Sequence, residues 1–119
     1  MKMTAFILGI LVLAGCNEQL IKQQHKSPEN LEAVSFRDIN QMIIQPFRCT
    51  ECHGDSGAPK GISLTSFAAV MASATVDLDN PTASKLFTAL DSGMMPGNGR
   101  ISQEQIDLVR LWIEQGANP

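Results

Sequence analysis

The sequence predicts a small all-α domain of about four helices, held behind an exported and tethered N-terminus. Three observations carry this. Apolar residues recur at helical spacing in several stretches between Phe36 and Ile113. No segment shows a convincing strand pattern. Between the periodic stretches lie runs of Gly, Pro, Asn and Ser that suit turns. At 119 residues the chain has room for one domain and its appendages. A net charge of −3 gives no reason to expect nucleic acid or an anionic membrane surface as partner. Aromatics make up 5% and tyrosine is absent, so a domain this small needs a staple or a bound group to complete its core.

The N-terminus reads as a targeting segment. Lys2 supplies the positive charge, and Ala5 to Leu13 form an apolar run too short to span a bilayer. Leu13-Ala14-Gly15-Cys16 then resembles the lipobox of bacterial lipoproteins. That resemblance implies lipidation of the Cys16 thiol and cleavage before it. An ordinary signal peptide with an incidental cysteine, or a retained signal anchor, is the competing reading. The expected division is a signal peptide over 1–15, a lipidated tether over 16–33 and a folded domain over 34–119. Asn17 to about Glu32 is rich in Gln, Lys and Asn and cannot bury a core. As a flexible coil its ~16 residues would reach roughly 20–25 Å from the membrane.

Phe36, Ile39, Ile43 and Phe47 fall on one helical face, with Ser35 as N-cap and Asp38 three residues on. Pro46 biases Gln45 away from helix, so the element should end or kink there. Next comes Cys49-Thr50-Glu51-Cys52-His53, the C-x-x-C-H signature of c-type haem attachment. On a turn of helix both thiols lie on one side of the backbone, where each can add to a haem vinyl group. His53 then brings an imidazole under the iron as proximal ligand. Three other readings compete: half of a zinc site completed by Cys16 and His25, a thioredoxin-like redox pair, or a short-range disulfide beside a chance histidine. Zinc would draw on residues far away in the sequence, and the redox pair wants a βαβ setting that is missing here. Haem c uses all three residues at once.

Gly54 to Gly61 is turn chemistry, with Gly54 suited to a close backbone approach to a porphyrin. Phe67, Val70 and Met71 suggest a short helix from about Ser66 to Ala74. Asn80-Pro81 has the form of a helix start, followed by an Ala83, Leu86, Phe87, Leu90 stripe and a stop at Gly93. The last helix is the best specified. Ser102 and Gln105 form a capping box, Ile101 and Ile106 a hydrophobic staple, and Gly116 a C-terminal cap. Ile106, Val109, Trp112 and Ile113 share one face, which makes Trp112 a core residue.

A haem iron held by one histidine has a sixth position to fill. Met94 and Met95 lie in the Gly/Pro loop from Gly93 to Gly99, where a thioether needs an explanation, and ligation of iron is one. Met95 is favoured because Pro96 fixes its local backbone. His25, in the tether, is a remote alternative ligand. With Cys16 on lipid and Cys49 and Cys52 on haem, no thiol is left for a disulfide.

From about Phe36 to Pro119 the chain resembles a small class I cytochrome c domain. The resemblance lies in Gln45 to Gly54, Gly93 to Pro96, and Trp112 to Ala117. It implies the cytochrome c fold, about four helices around one covalent haem c, with the N- and C-terminal helices crossing. It also implies Cys49 and Cys52 as thioether anchors, with His53 and Met95 as iron ligands. One departure stands out. Many such domains have a Gly-Pro whose proline carbonyl receives the histidine N–H, whereas here the order is Pro59-Lys60-Gly61, which leaves the accepting carbonyl open. Arg48, Lys60 and Arg100 are propionate partners by charge alone.

The expected function is one-electron transfer rather than catalysis. Partners would be redox proteins of a membrane or periplasmic chain, reached from a lipid anchor facing the periplasm. Asn17 after the lipidated cysteine resembles outer-membrane sorting. The alternative is a peroxidase-like haem enzyme or gas sensor with a labile distal Met95.

Overall fold

The computed structural model describes residues 33–119. The signal peptide, Cys16, His25 and all of the tether before Ala33 lie outside the described residues. Within them the chain is helical: α1 (Phe36–Ile39), α2 (Phe67–Ala72), α3 (Lys85–Asp91) and α4 (Gln103–Glu114), joined by loops and short 3-10 turns. A single parallel bridge, Ser35 to Asn118, is the nearest approach to sheet among these residues.

α4 is the central element. Its start is the capping box: Ser102 Oγ accepts from Gln105 N–H at 3.3 Å and Gln105 Oε1 from Ser102 N–H at 3.0 Å. Its end is a Schellman motif. Ala117 N–H bonds the Trp112 carbonyl and Gly116 N–H the Ile113 carbonyl, both at 2.9 Å, with Gly116 at φ +94°. Ile106, Val109, Trp112 and Ile113 are buried as their spacing predicts, and Leu108 is buried with them, which widens the stripe. Trp112 is the largest fully buried side chain.

α1 runs antiparallel to α4. At one end the Asn118 carbonyl accepts both Phe36 N–H and Trp112 Nε1–H at 2.8 Å, and the Phe36 and Trp112 rings are 6.1 Å apart. At the other end Gln105 Nε2–H donates to the Met42 carbonyl at 2.8 Å. This second contact answers a local need. α1 continues into a π-helical turn over Asn40–Ile44, closed by Gln45 N–H on the Asn40 carbonyl. Pro46 has no N–H to give Met42, four residues back, so the side chain of Gln105 supplies the donor. The helix ends before the cysteines as expected, but through a π turn rather than a simple stop, and Gln45 stays in the right-handed region. Asp38 caps α1 by accepting from the Ser35 N–H and hydroxyl.

One expectation is refined and another corrected. α2 lies within its predicted span but ends at Ala72, before the left-handed Ala74, with Ser66 Oγ accepting from Ala69 N–H at 3.2 Å. The helix read from Asn80-Pro81 does not start there. Pro81–Ala83 is a separate 3-10 turn and α3 begins at Lys85, after an extended Ser84. The cause is a polar clasp: Ser84 Oγ accepts from Asp77 N–H at 2.8 Å and donates to the Asp77 carbonyl, while Asp77 Oδ1 takes the N–H groups of Asp79 and Asn80. Ser84 is buried in this clasp, and Ala83 falls off the stripe into solvent.

Candidate haem site

Cys49–Glu51 forms a 3-10 turn entered through Arg48 in the left-handed region (φ +55°). Cys52 and His53 both return their N–H groups to the Cys49 carbonyl, at 3.3 and 2.8 Å. The turn therefore holds two thiols and an imidazole on one short, rigid segment. Neither thiol is in a disulfide. Cys49 is half-buried, its sulfur 3.9 Å from the Ile43 carbonyl, and burial pushes its thiol pKa above the usual value. Cys52 is exposed.

His53 is held in one orientation. Its Nδ1 lies 3.0 Å from the Ile62 carbonyl, which accepts the ring N–H and leaves Nε2 with its lone pair free. The carbonyl left open by the sequence is therefore that of Ile62, one residue beyond Pro59-Lys60-Gly61. It is aimed by two successive left-handed residues, Lys60 (φ +56°) and Gly61 (φ +70°). Leu64 N–H bonds the His53 carbonyl at 2.9 Å and closes the loop. What Gly54 approaches in the structure is the Thr50 carbonyl, which a Cβ there would meet at 3.0 Å.

The methionine loop is fixed at both ends. Met95 N–H donates to the Ala89 carbonyl of α3 at 2.9 Å, and Asn98 Nδ2 to the Phe47 carbonyl at 3.4 Å, which brings the loop to the stretch just before Cys49. Met94 is 70% exposed and Met95 38%. Of the three cations, Arg48 pairs with Glu51, Lys60 belongs to the turn that aims Ile62, and Arg100 lies against Gly93, where a Cβ would meet its guanidinium at 2.7 Å. A groove of about 650 Å³ beside Phe36, Asn40 and Pro119 contains none of the motif residues.

Among the described residues no three His, Cys, Asp or Glu side chains gather to hold a metal ion, and no helix is long and apolar enough to cross a membrane. The residues that are present do fit haem c. Two unpaired thiols precede an imidazole whose Nε2 is free to ligate, and thioethers stand on a loop tied to the same segment. The large apolar side chains of Met94 and Met95, left in solvent on that loop, are of the kind a porphyrin face would cover. Nothing in the residue pattern pointed to Ile62, because a backbone carbonyl has no side-chain signature. Comparison with protein families, curated proteins and solved structures finds no match for this chain.

Proposed function

We propose that the chain is a membrane-anchored monohaem c-type cytochrome that carries single electrons. The carrying observation is the C-x-x-C-H turn itself, with both thiols unpaired and His53 held through Nδ1 so that Nε2 is left to bind iron. Bound haem c would supply an iron that gains and loses one electron. Cys49 and Cys52 would anchor it, each adding its S–H across a vinyl double bond. His53 and Met95 would ligate its iron. A His/Met pair on tethered backbone changes little between oxidation states, as a carrier requires. Lipid on Cys16 and the polar tether would keep the domain near redox partners in the periplasm and raise their effective concentration.

The exposure of Met95 favours one second reading, a haem enzyme or gas sensor in which this ligand dissociates. Against it, His53 is the only histidine among the described residues, so no distal histidine there can serve as acid or base.

Carbon monoxide added to the reduced protein separates the two. The carrier should exclude it, and Met95→Ala should admit it readily while covalent haem and helix content persist. That variant should also lose the thioether–iron charge-transfer band. Its midpoint potential should fall by on the order of a tenth of a volt or more, because a thioether favours ferrous iron and water or hydroxide favours ferric. Met94→Ala should change little. If Met94→Ala produces these effects instead, the ligand is Met94. Ready binding to the unmodified protein would favour the enzyme or sensor.

A further inference from the structure

The bond from His53 to Ile62 spans a loop whose own backbone bonds are two, Gly61 N–H to the Ala58 carbonyl at 3.0 Å and Ile62 N–H to the Pro59 carbonyl at 3.1 Å. Gly57 and Gly61 both sit at positive φ with open space where a side chain would go, and Lys60 is left-handed between them. At the open end of this loop, one carboxylate oxygen gathers the two sides. Asp55 Oδ1 accepts from Thr65 Oγ1 at 2.5 Å and from Ser63 Oγ at 3.1 Å, and the two hydroxyls are themselves 3.1 Å apart. Ser63 and Thr65 flank Leu64, whose N–H holds the His53 carbonyl, and Ser63 directly follows Ile62. Ser73 of the turn after α2 secures the same strand, its Oγ accepting from Ser63 N–H at 3.0 Å and donating to the Ala69 carbonyl at 2.7 Å.

We propose that Asp55, through Ser63 and Thr65, is a positioning residue that sets the strength of the His53–Ile62 hydrogen bond and thereby the electron donation of His53 to iron. The proposal rests on the haem reading for its redox consequence, but not for its geometry. Charge-assisted bonds to a carboxylate are stronger than neutral ones, so the clasp adds to the hold that Leu64 N–H, Ser73 and the turn's own backbone bonds have on the Ile62 carbonyl. A shorter, better aligned Nδ1–H···O bond makes Nε2 a better donor and favours ferric iron. Loosening the clasp should therefore raise the midpoint potential.

The test is Ser63→Ala/Thr65→Val in the full chain, which removes both donors and leaves the Asp55 charge in place. Exchange of the His53 Nδ1–H, followed by NMR in the reduced protein, should accelerate roughly fivefold, the equivalent of one net hydrogen bond. The Ala117 N–H, buried at the far end of α4, should keep its rate. The midpoint potential should rise, and Thr65→Ser alone should match the unmodified protein. Asp55→Asn, which keeps an acceptor but drops the charge that strengthens both bonds, should accelerate Nδ1–H exchange, though by less than the double variant does. Equal acceleration at Ala117, or no change at His53, would overturn the proposal. So would a potential that follows the Asp55 charge while exchange stays constant. The absorption spectrum of the unmodified protein reports separately on haem. Were haem absent, the function reading would fail, and the His53 tautomer ratio in the same variants would still decide the clasp.

Discussion

At the scale of single residues, the site divides into side-chain chemistry and backbone geometry. Cys49, Cys52 and His53 stand out in the sequence because the haem attachment proposed for them, thioether formation and axial ligation, needs those side chains in that order. Ile62 does not, since any residue could offer its carbonyl, and only the fold says which one arrives 3.0 Å from Nδ1. Gly54 lies between the two kinds. Its place after the histidine suggested room for a porphyrin; the group the structure sets against it is instead the Thr50 carbonyl, 3.0 Å from where a Cβ would stand. A backbone oxygen inside the Cys49–Glu51 turn cannot swing aside as a side-chain tip would. Gly54→Ala should therefore cost about 1–2 kcal/mol, as overpacking of a tight site does. For a domain of this size that lowers the melting temperature by roughly 4–8 °C per kcal/mol. A variant that melts with the unmodified protein would show that the turn yields.

At the scale of elements, α4 was the most readable because its signals are local and agree. Capping box, staple, apolar stripe and C-terminal glycine all point to one helix, and the structure has it over Gln103–Glu114. The start of α3 was misread for the opposite reason. Asn80-Pro81 has good helix-start chemistry, but the clasp between Asp77 and Ser84 joins residues seven apart and overrides it. The π turn was also hidden, because it depends on Gln105 reaching Met42 across 63 positions of sequence. Gln105→Glu tests that reach. The carboxylate can still accept from Ser102 N–H, yet it cannot donate to the Met42 carbonyl and sets an acceptor against it. A loss of about 1–3 kcal/mol is expected in chemical denaturation at neutral pH, the range for an unsatisfied buried partner. A loss below about 0.5 kcal/mol would mean that water serves Met42 equally well.

At the scale of the whole molecule, the helices and their antiparallel α1–α4 contact follow from the apolar pattern and agree with the expected all-α fold. The core they enclose is small: its largest fully buried side chain is Trp112, and the rest are mostly Ile, Leu and Val. Leu78, Met94 and Met95 stay in solvent, and Phe47, Ile62, Phe67, Val76 and Phe87 are only partly covered. A covalently held porphyrin would add the apolar surface such a domain lacks. Folding and haem attachment should therefore be linked. Intact mass and a pyridine haemochrome spectrum, taken on protein exported through a haem-attaching secretion route, test this most directly. The account predicts one covalent haem per chain. Cys49→Ala/Cys52→Ala should lose it together with the cooperative thermal transition. A chain that carries no covalent haem with both thiols intact, or a double variant that melts cooperatively like the unmodified protein, would contradict it.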